Sequence, residues 1–263
     1  MNVRSAGSGT ALDCRIAGLT VSMPACRGVM SLLPLDQTGA ATVAVPRADM
    51  AGDDRLIKST AGVSVVRCLD IVLAIPLLLF LSPMMLATAL VVWLQDGGKP
   101  MFGHVRVGLN GRLFRCWKFR SMVVDADEKL AELLANDPEA RLEWDTDHKL
   151  RNDPRVTALG TFLRKSSLDE LPQLINVIMG EMSLVGPRPI VAEEIDKYGR
   201  QFRWYRQVRP GITGLWQVSG RNDLDYRQRV ALDVLFVKRF SLWLYISILL
   251  RTAPTVLSRE GAH

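Results

Sequence analysis

From Cys68 to Leu94 the chain reads CLDIVLAIPLLLFLSPMMLATALVVWL, 27 residues with a single charge, Asp70. A run this apolar has to be buried, in protein or in lipid, and that requirement limits the fold more than any other feature. As one continuous helix it would measure about 40 Å against about 30 Å of hydrocarbon, enough for a single transmembrane span. Pro76 and the pair Ser82-Pro83 interrupt that reading, because proline removes a backbone donor and bends a helix. Broken at Ser82-Pro83, the run gives two arms of roughly 11 to 14 residues, a length that suits a re-entrant segment. Membrane helices also tolerate proline, so the break does not decide between the two. Arg55, Lys58 and Arg67 precede the run, and Lys99, Arg106, Arg112 and Arg115 follow it. Positive charge on both flanks favours both ends in the cytoplasm. On these residues alone, spanning and re-entrant forms both stay open.

The rest of the composition fits a chain attached to a membrane. Of the 263 residues, 48% are hydrophobic and the mean hydropathy is +0.13. The length allows one domain of ordinary size plus an extension. A net charge of +6 points to anionic partners: nucleic acid, lipid headgroups or phosphorylated substrates. No nucleic-acid-binding motif accompanies it, so no nucleic acid partner is expected, and membrane lipids and phosphates are the better match. The four cysteines, Cys14, Cys26, Cys68 and Cys116, have neither metal-ligand spacing nor histidines beside them. That excludes a zinc site and a disulfide framework, and agrees with a cytoplasmic catalytic domain. Residues 1–60 are rich in Ala, Gly, Ser, Thr and Val without a sustained period, and read as a disordered extension; a start codon set too far upstream would explain them equally. Arg4 is not followed by the apolar core of a signal peptide.

Beyond the membrane segment, placed at 63–97, residues 98–258 read as the catalytic domain. His104 to Met122 predicts a hairpin, with Asn110-Gly111 as a type I′ turn between HVRVGL and RLFRCWKF. Lys118 and Arg120 then share one face of the second strand. Met122 to Leu150 predicts two charged amphipathic helices divided at Asp137-Pro138, with Asp125, Asp127 and Glu128 on a solvated face rather than around a metal. Glu193, Glu194 and Asp196 predict a short acidic helix ended by Gly199. Phe202, Trp204 and Tyr205, interleaved with Arg203, Arg206 and Arg209, suit a helix at a membrane interface. Arg227 to Phe240 reads as a helix, and Ser241 to Leu250 as an apolar segment too short to span, hence interfacial. His104 has no partner in the pattern and is given no role.

The most chemically loaded stretch is Leu163 to Pro189, LRKSSLDELPQLINVIMGEMSLVGPRP. Ser167-Leu168-Asp169-Glu170 fits a capping box, with Ser at the N-cap and Glu three residues on. Acidic residues in a first helical turn also complement the helix dipole. The same geometry serves chemistry. A helix N-terminus binds phosphate, Arg164 and Arg188 offer forked donors to its oxygens, and a carboxylate kept ionised there can be a nucleophile or a metal ligand. Both readings are compatible.

Here the chain resembles a known family. SLDELPQL and GEMSLVGPRP, with Lys118-Phe119-Arg120-Ser121-Met122, Asp153-Pro154-Arg155-Val156-Thr157 and RPGITGLWQVSGRND from Arg209 to Asp223, are similar to the core of the bacterial sugar transferases. These are the monotopic phosphoglycosyl transferases, and the matches run in family order from about Val66 to Thr255. The likeness extends to rhizobial members that start succinoglycan-type exopolysaccharide with galactose. The resemblance implies an α/β, mostly helical fold: a small cytoplasmic catalytic domain with a β-hairpin, interfacial amphipathic helices, and a re-entrant N-terminal helix broken at Ser82-Pro83 (otherwise a single transmembrane one). It implies transfer of hexose 1-phosphate, galactose or glucose, from a UDP-hexose to undecaprenyl phosphate at the cell inner membrane, with release of UMP. Asp169 becomes the expected nucleophile, forming a phosphosugar–aspartyl intermediate, and also the metal ligand, with Mg²⁺ neutralising the diphosphate. Glu170 is expected to assist the metal or the lipid phosphate. Arg164, Arg188, Arg221, Lys118 and Arg120 are expected to bind substrate. Tyr245 departs from the family, where an acidic residue is frequent, which puts a catalytic or metal role there in doubt. A membrane-anchored phosphohydrolase, with water as acceptor, and a non-catalytic membrane scaffold are the alternatives.

Overall fold

The computed structural model describes residues 60–147, 150, 153–220 and 224–257, together with four short strands nearer the N-terminus. Those strands, β1 (Cys14–Ile16), β2 (Leu19–Val21), β3 (Ser31–Leu32) and β4 (Val43–Ala44), pair antiparallel two by two. The remainder of the expected extension lies outside the described residues.

The apolar run forms α1 (Thr60–Asp96), a helix of 37 residues whose helical pattern continues through both Pro76 and Pro83. Pro83 has no N–H to give the carbonyl four residues earlier, that of Leu79. The hydroxyl of Ser82 donates to that same oxygen at 2.8 Å, so the Ser-Pro pair leaves no orphaned acceptor on an apolar helix. Val66, Asp70, Ala74, Met85 and Val92 are buried, and Leu78, Leu81 and Ala89 are half-buried. They recur every three or four residues without a break, tracing one face. The opposite face stays bare and apolar, with Phe80 81% exposed and Leu86 71% exposed. By length and composition α1 is able to cross a membrane.

Both ends of α1 are tied to the same globular unit. Near the start, Arg67 donates to the carbonyls of Val177 and Ile178 at 2.5 and 2.9 Å. Asp70 Oδ1 accepts from Ser183 Oγ (2.9 Å), the Leu184 amide (2.8 Å) and the Tyr245 hydroxyl (2.7 Å). At the far end, Arg120 donates to the Val92 carbonyl at 3.3 Å and forms a short ion pair with Asp96. The departure at Tyr245 is thereby accounted for: its phenol completes the buried shell of Asp70.

The hairpin is β5 (Met101–Val107) and β6 (Leu113–Phe119), in register from Met101 opposite Phe119 to Val107 opposite Leu113. Asn110 (φ 57°, ψ 19°) and Gly111 (φ 77°) take the left-handed angles of the expected turn, inside a five-residue loop. Helices α2 (Ala126–Asn136) and α3 (Pro138–Asp147) divide at Asp137, whose carboxylate accepts from the Glu139 and Ala140 amides. Their outer carboxylates Asp125, Asp127 and Glu128 are exposed, as a solvated face requires.

Helix α4 (Ala158–Lys165) is capped by Thr157 and crosses the β6 exit so closely that a Cβ on Gly160 would lie 1.8 Å from the Ser121 carbonyl oxygen. Helix α5 (Gln173–Met179) ends at left-handed Gly180, and β7 (Ser183–Val185) pairs in parallel with β8 (Gly211–Thr213). Helices α6 (Ile195–Tyr198), α7 (Phe202–Tyr205), α8 (Tyr226–Lys238) and α9 (Leu242–Leu257) complete the described chain. The expected membrane-interface role of Phe202, Trp204 and Tyr205 is not what forms. All three are buried, Phe202 stacked on Tyr205 and the Tyr205 hydroxyl bonded to the Val107 carbonyl at 2.8 Å, so α7 is a core helix. Arg209 likewise turns inward, donating to the Gly180 carbonyl at 2.7 Å. Together with Arg67 it satisfies the carbonyls that the end of α5 leaves open. Helix α9 has two faces: Tyr245 and Ile248 are buried, Leu242, Trp243 and Leu250 exposed.

Candidate active site

The chain between α4 and α5 turns sharply. Ser167 sits in the left-handed region (φ 56°, ψ 16°), and Leu168–Glu170 follow as one turn of 3₁₀ helix before Pro172 opens α5. The expected capping box does not form. The Ser167 side chain makes no cap bond, and the turn is closed by the Glu170 amide on the Ser167 carbonyl at 3.3 Å. Left-handed backbone at a non-glycine residue stores about 1–3 kcal/mol and persists where the surroundings fix it. Here it redirects the chain so that two neighbouring carboxylates reach one cation.

That cation is Lys118, from β6. Its Nζ is 2.6 Å from Glu170 Oε1 and 3.9 Å from Asp169 Oδ2. Asp169 is buried, 8% exposed, and burial pushes its carboxyl up to about 6, with Lys118 and Arg164 opposing the rise and Glu170 adding to it. The helix-dipole expectation of a fully ionised group is corrected in this respect: a three-residue turn has little dipole, and desolvation outweighs it. Glu170 goes the other way. Burial alone would raise it, but the Lys118 ammonium, and behind it Arg188 and Arg106, hold it below the usual carboxylate range. The adjacent pair is therefore split into one readily protonated group and one firmly ionised group, an arrangement common at sites of chemistry.

The expected phosphate-binding residues fall into three groups. Arg164 is exposed beside Asp169, its Nε donating to Ser121 Oγ at 2.9 Å. Arg188 is exposed on the Gly186–Pro189 turn, its charge reaching Glu170 and Arg106. With Lys118 they form one cationic rim around the dyad. Arg120 is not part of it: the ion pair with Asp96 fastens its guanidinium to α1. Arg221 lies outside the described residues.

Three residues have roles that the sequence did not assign. Arg106 donates to the Pro189 carbonyl at 3.2 Å and lies 3.7 Å from Glu194, bracing the Arg188 turn. Asp233 is buried, accepts from the Tyr198 hydroxyl at 2.7 Å, and is raised to about 8 by burial. Asn176 is wholly buried on α5 and bonds to β6. A lone amide in an apolar helical run was its visible signal; Arg106 and Asp233 offered none beyond their charge.

A divalent ion fits this dyad in one way. Mg²⁺ is commonly held by one or two carboxylates with water and phosphate oxygens completing its shell. Asp169 and Glu170 supply that number, and no cluster of three acidic, His or Cys side chains suited to a closed metal cage occurs among the described residues.

Residues 62–259 match the sequence model of the family described as bacterial sugar transferase. A Salmonella typhimurium protein named undecaprenyl-phosphate galactose phosphotransferase is 56% identical over 200 residues, covering 75% of this chain and 41% of that protein. The exopolysaccharide production protein ExoY of Rhizobium meliloti is 47% identical over 197 residues, covering 75% of this chain and 87% of that one. An Escherichia coli protein named UDP-glucose:undecaprenyl-phosphate glucose-1-phosphate transferase is 36% identical over 236 residues, covering 87% and 46%. The chain thus spans under half of the longer relatives and most of the rhizobial one.

Proposed function

Because this chain belongs to the bacterial sugar transferase family, we propose that it transfers a hexose 1-phosphate from a UDP-sugar to undecaprenyl phosphate, releasing UMP, as the first step of an exopolysaccharide repeat unit. Galactose is the first choice of hexose and glucose the second, following the names of the relatives. The observation that carries the reading is the Lys118–Asp169–Glu170 cluster rimmed by Arg164 and Arg188.

Phosphoryl transfer requires positioning and charge neutralisation more than elaborate proton chemistry. Arg164 and Arg188 hold non-bridging oxygens of the diphosphate. The ionised Asp169 attacks the sugar-bearing phosphorus; an acyl O–P bond forms, the bond to the bridging oxygen breaks, and UMP leaves with that electron pair. An oxygen of the lipid phosphate then attacks the same phosphorus and returns the carboxylate of Asp169. Lys118 keeps Glu170 ionised and lowers the proton affinity of Asp169, so that the nucleophile is deprotonated near neutrality. Mg²⁺ held by Asp169 and Glu170 together with the diphosphate would neutralise phosphate charge.

The lipid substrate calls for a membrane location, and α1 and α9 offer bare apolar faces for it. Hydrogen bonds from both ends of α1 to one globular unit support a re-entrant rather than a spanning course, with the catalytic domain on the cytoplasmic side of the inner membrane. The test is to incubate the purified full chain in detergent with Mg²⁺ and labelled UDP-galactose, without lipid. The reading expects a hexose-phosphate adduct on the Asp169 peptide that undecaprenyl phosphate discharges. A wild-type protein that turns over but never carries label would overturn the covalent route.

A further inference from the structure

Asn176 is 0% exposed, and its amide is used by three groups. Oδ1 accepts from the Trp117 amide at 3.0 Å. Nδ2 donates to the Arg115 carbonyl at 2.7 Å and to Glu181 Oε2 at 2.6 Å. Arg115 and Trp117 are two residues apart on β6, so their backbone groups point to the same edge. The other edge of β6 is paired with β5, and the two strands make a two-stranded sheet. The Asn176 amide therefore stands in for a residue of a third strand, offering one donor and one acceptor to an otherwise open edge. No other side chain of similar size offers both in that geometry. Aspartate has no donor, and leucine leaves two buried backbone groups unpaired.

The consequence lies one residue along. Lys118 follows Trp117 on β6, and Asp169 and Glu170 precede α5 by a short turn. The strand and the helix are joined at two points, by the Asn176 amide and by the Lys118–Glu170 ion pair. An ion pair formed by a flexible ammonium does not fix a strand by itself; the amide clamp fixes the backbone from which the ammonium extends. We infer that Asn176 is a positioning residue, which sets the distance of Lys118 from the Asp169–Glu170 pair. The inference deepens the reading of that pair as the reacting centre, but its geometry can be tested without turnover.

The experiment compares Asn176→Ala with Val177→Ala in the full-length protein in detergent. Val177 is equally buried on the same helix and makes no side-chain bond to β6, so its variant reports lost packing alone. The first readout is the rate at which an amine-reactive reagent modifies Lys118, read by peptide mass spectrometry; it needs no activity and follows local opening. Asn176→Ala should raise that rate at least about threefold, with Val177→Ala close to wild type. The second readout is the split between kcat and KM in UMP release: kcat should fall at least about threefold in Asn176→Ala as Lys118 withdraws from the dyad, with KM for the UDP-sugar little changed. If Asn176→Ala does not fold, Asn176→Asp decides by the same readouts, since it keeps the shape and the Trp117 bond and loses both donors. Wild-type reactivity of Lys118 in the clamp variants, or an equal rise in Val177→Ala, overturns the inference. A wild-type protein inert toward UDP-hexoses would instead refute the proposed function and leave the Lys118 readout in force.

Discussion

Asp169→Asn should abolish turnover and make the protein more stable at neutral pH. The carboxyl of Asp169 is raised from 3.8 to about 6 in the folded chain, mainly by burial. A raised carboxyl binds its proton more tightly folded than unfolded. Between the two values the folded state carries more protons, so stability falls as pH rises through that window, and the penalty is complete above it. About two pH units at 1.36 kcal/mol each give a penalty of roughly 3 kcal/mol, already net of the attraction of Lys118. Asparagine has the same shape and no charge. After an allowance for burying its amide, the expected gain is about 1–3 kcal/mol, or several degrees in melting temperature for a domain of this size. The assay is thermal melting in detergent of wild type and variant from pH 4 to pH 8. The variant's advantage should be greatest at pH 8 and shrink toward pH 4, where wild-type Asp169 is itself protonated. A variant less stable at pH 8, or an advantage independent of pH, would refute the argument that burial of this charge is held against the fold for the sake of chemistry.

Other expectations follow from the same geometry. Lys118→Met removes the cation that lowers Asp169 and ionises Glu170, so the acid limb of the pH–rate profile should shift to higher pH and kcat should fall by about a hundredfold or more; steady-state kinetics across pH check both. Tyr245→Phe deletes one of three hydrogen bonds to Asp70 and should cost about 0.5–1.5 kcal/mol in melting experiments while leaving most activity, as a structural role requires. Gly160→Ala places a methyl 1.8 Å from the Ser121 carbonyl oxygen; α4 must then move and carry Arg164 with it, so both yield and KM for the UDP-sugar should suffer.

Much of this site was legible because its chemistry is local in sequence. Arg164, Asp169, Glu170 and Arg188 fall within one stretch, and the structure gathers them, with Lys118, at one place. The hairpin turn, the division at Asp137-Pro138 and the end of the acidic helix at Gly199 follow from backbone rules that act over a few residues. What periodicity did not disclose depends on long-range contact. The aromatics of α7 have interfacial composition, yet they are claimed by the core, where Tyr205 meets Val107 from 98 positions away. Arg120 was expected to share a strand face with Lys118; it falls just past the end of β6 and is taken by Asp96 of α1. The capping box failed because Ser167 is left-handed, and its spacing gave no sign of that. Asn176 was given no role from the sequence; its meaning appears only when β6 lies against it.

In the proposed function Asp169 carries the phosphosugar between two substrates. The most direct measurement is UMP release by the purified full chain in detergent with Mg²⁺ and UDP-galactose or UDP-glucose, with and without undecaprenyl phosphate, for wild type and Asp169→Ala. Sustained release is expected only with the lipid, at most one equivalent per protein without it, and none in Asp169→Ala. Sustained release without lipid, or release unchanged by Asp169→Ala, would contradict that role.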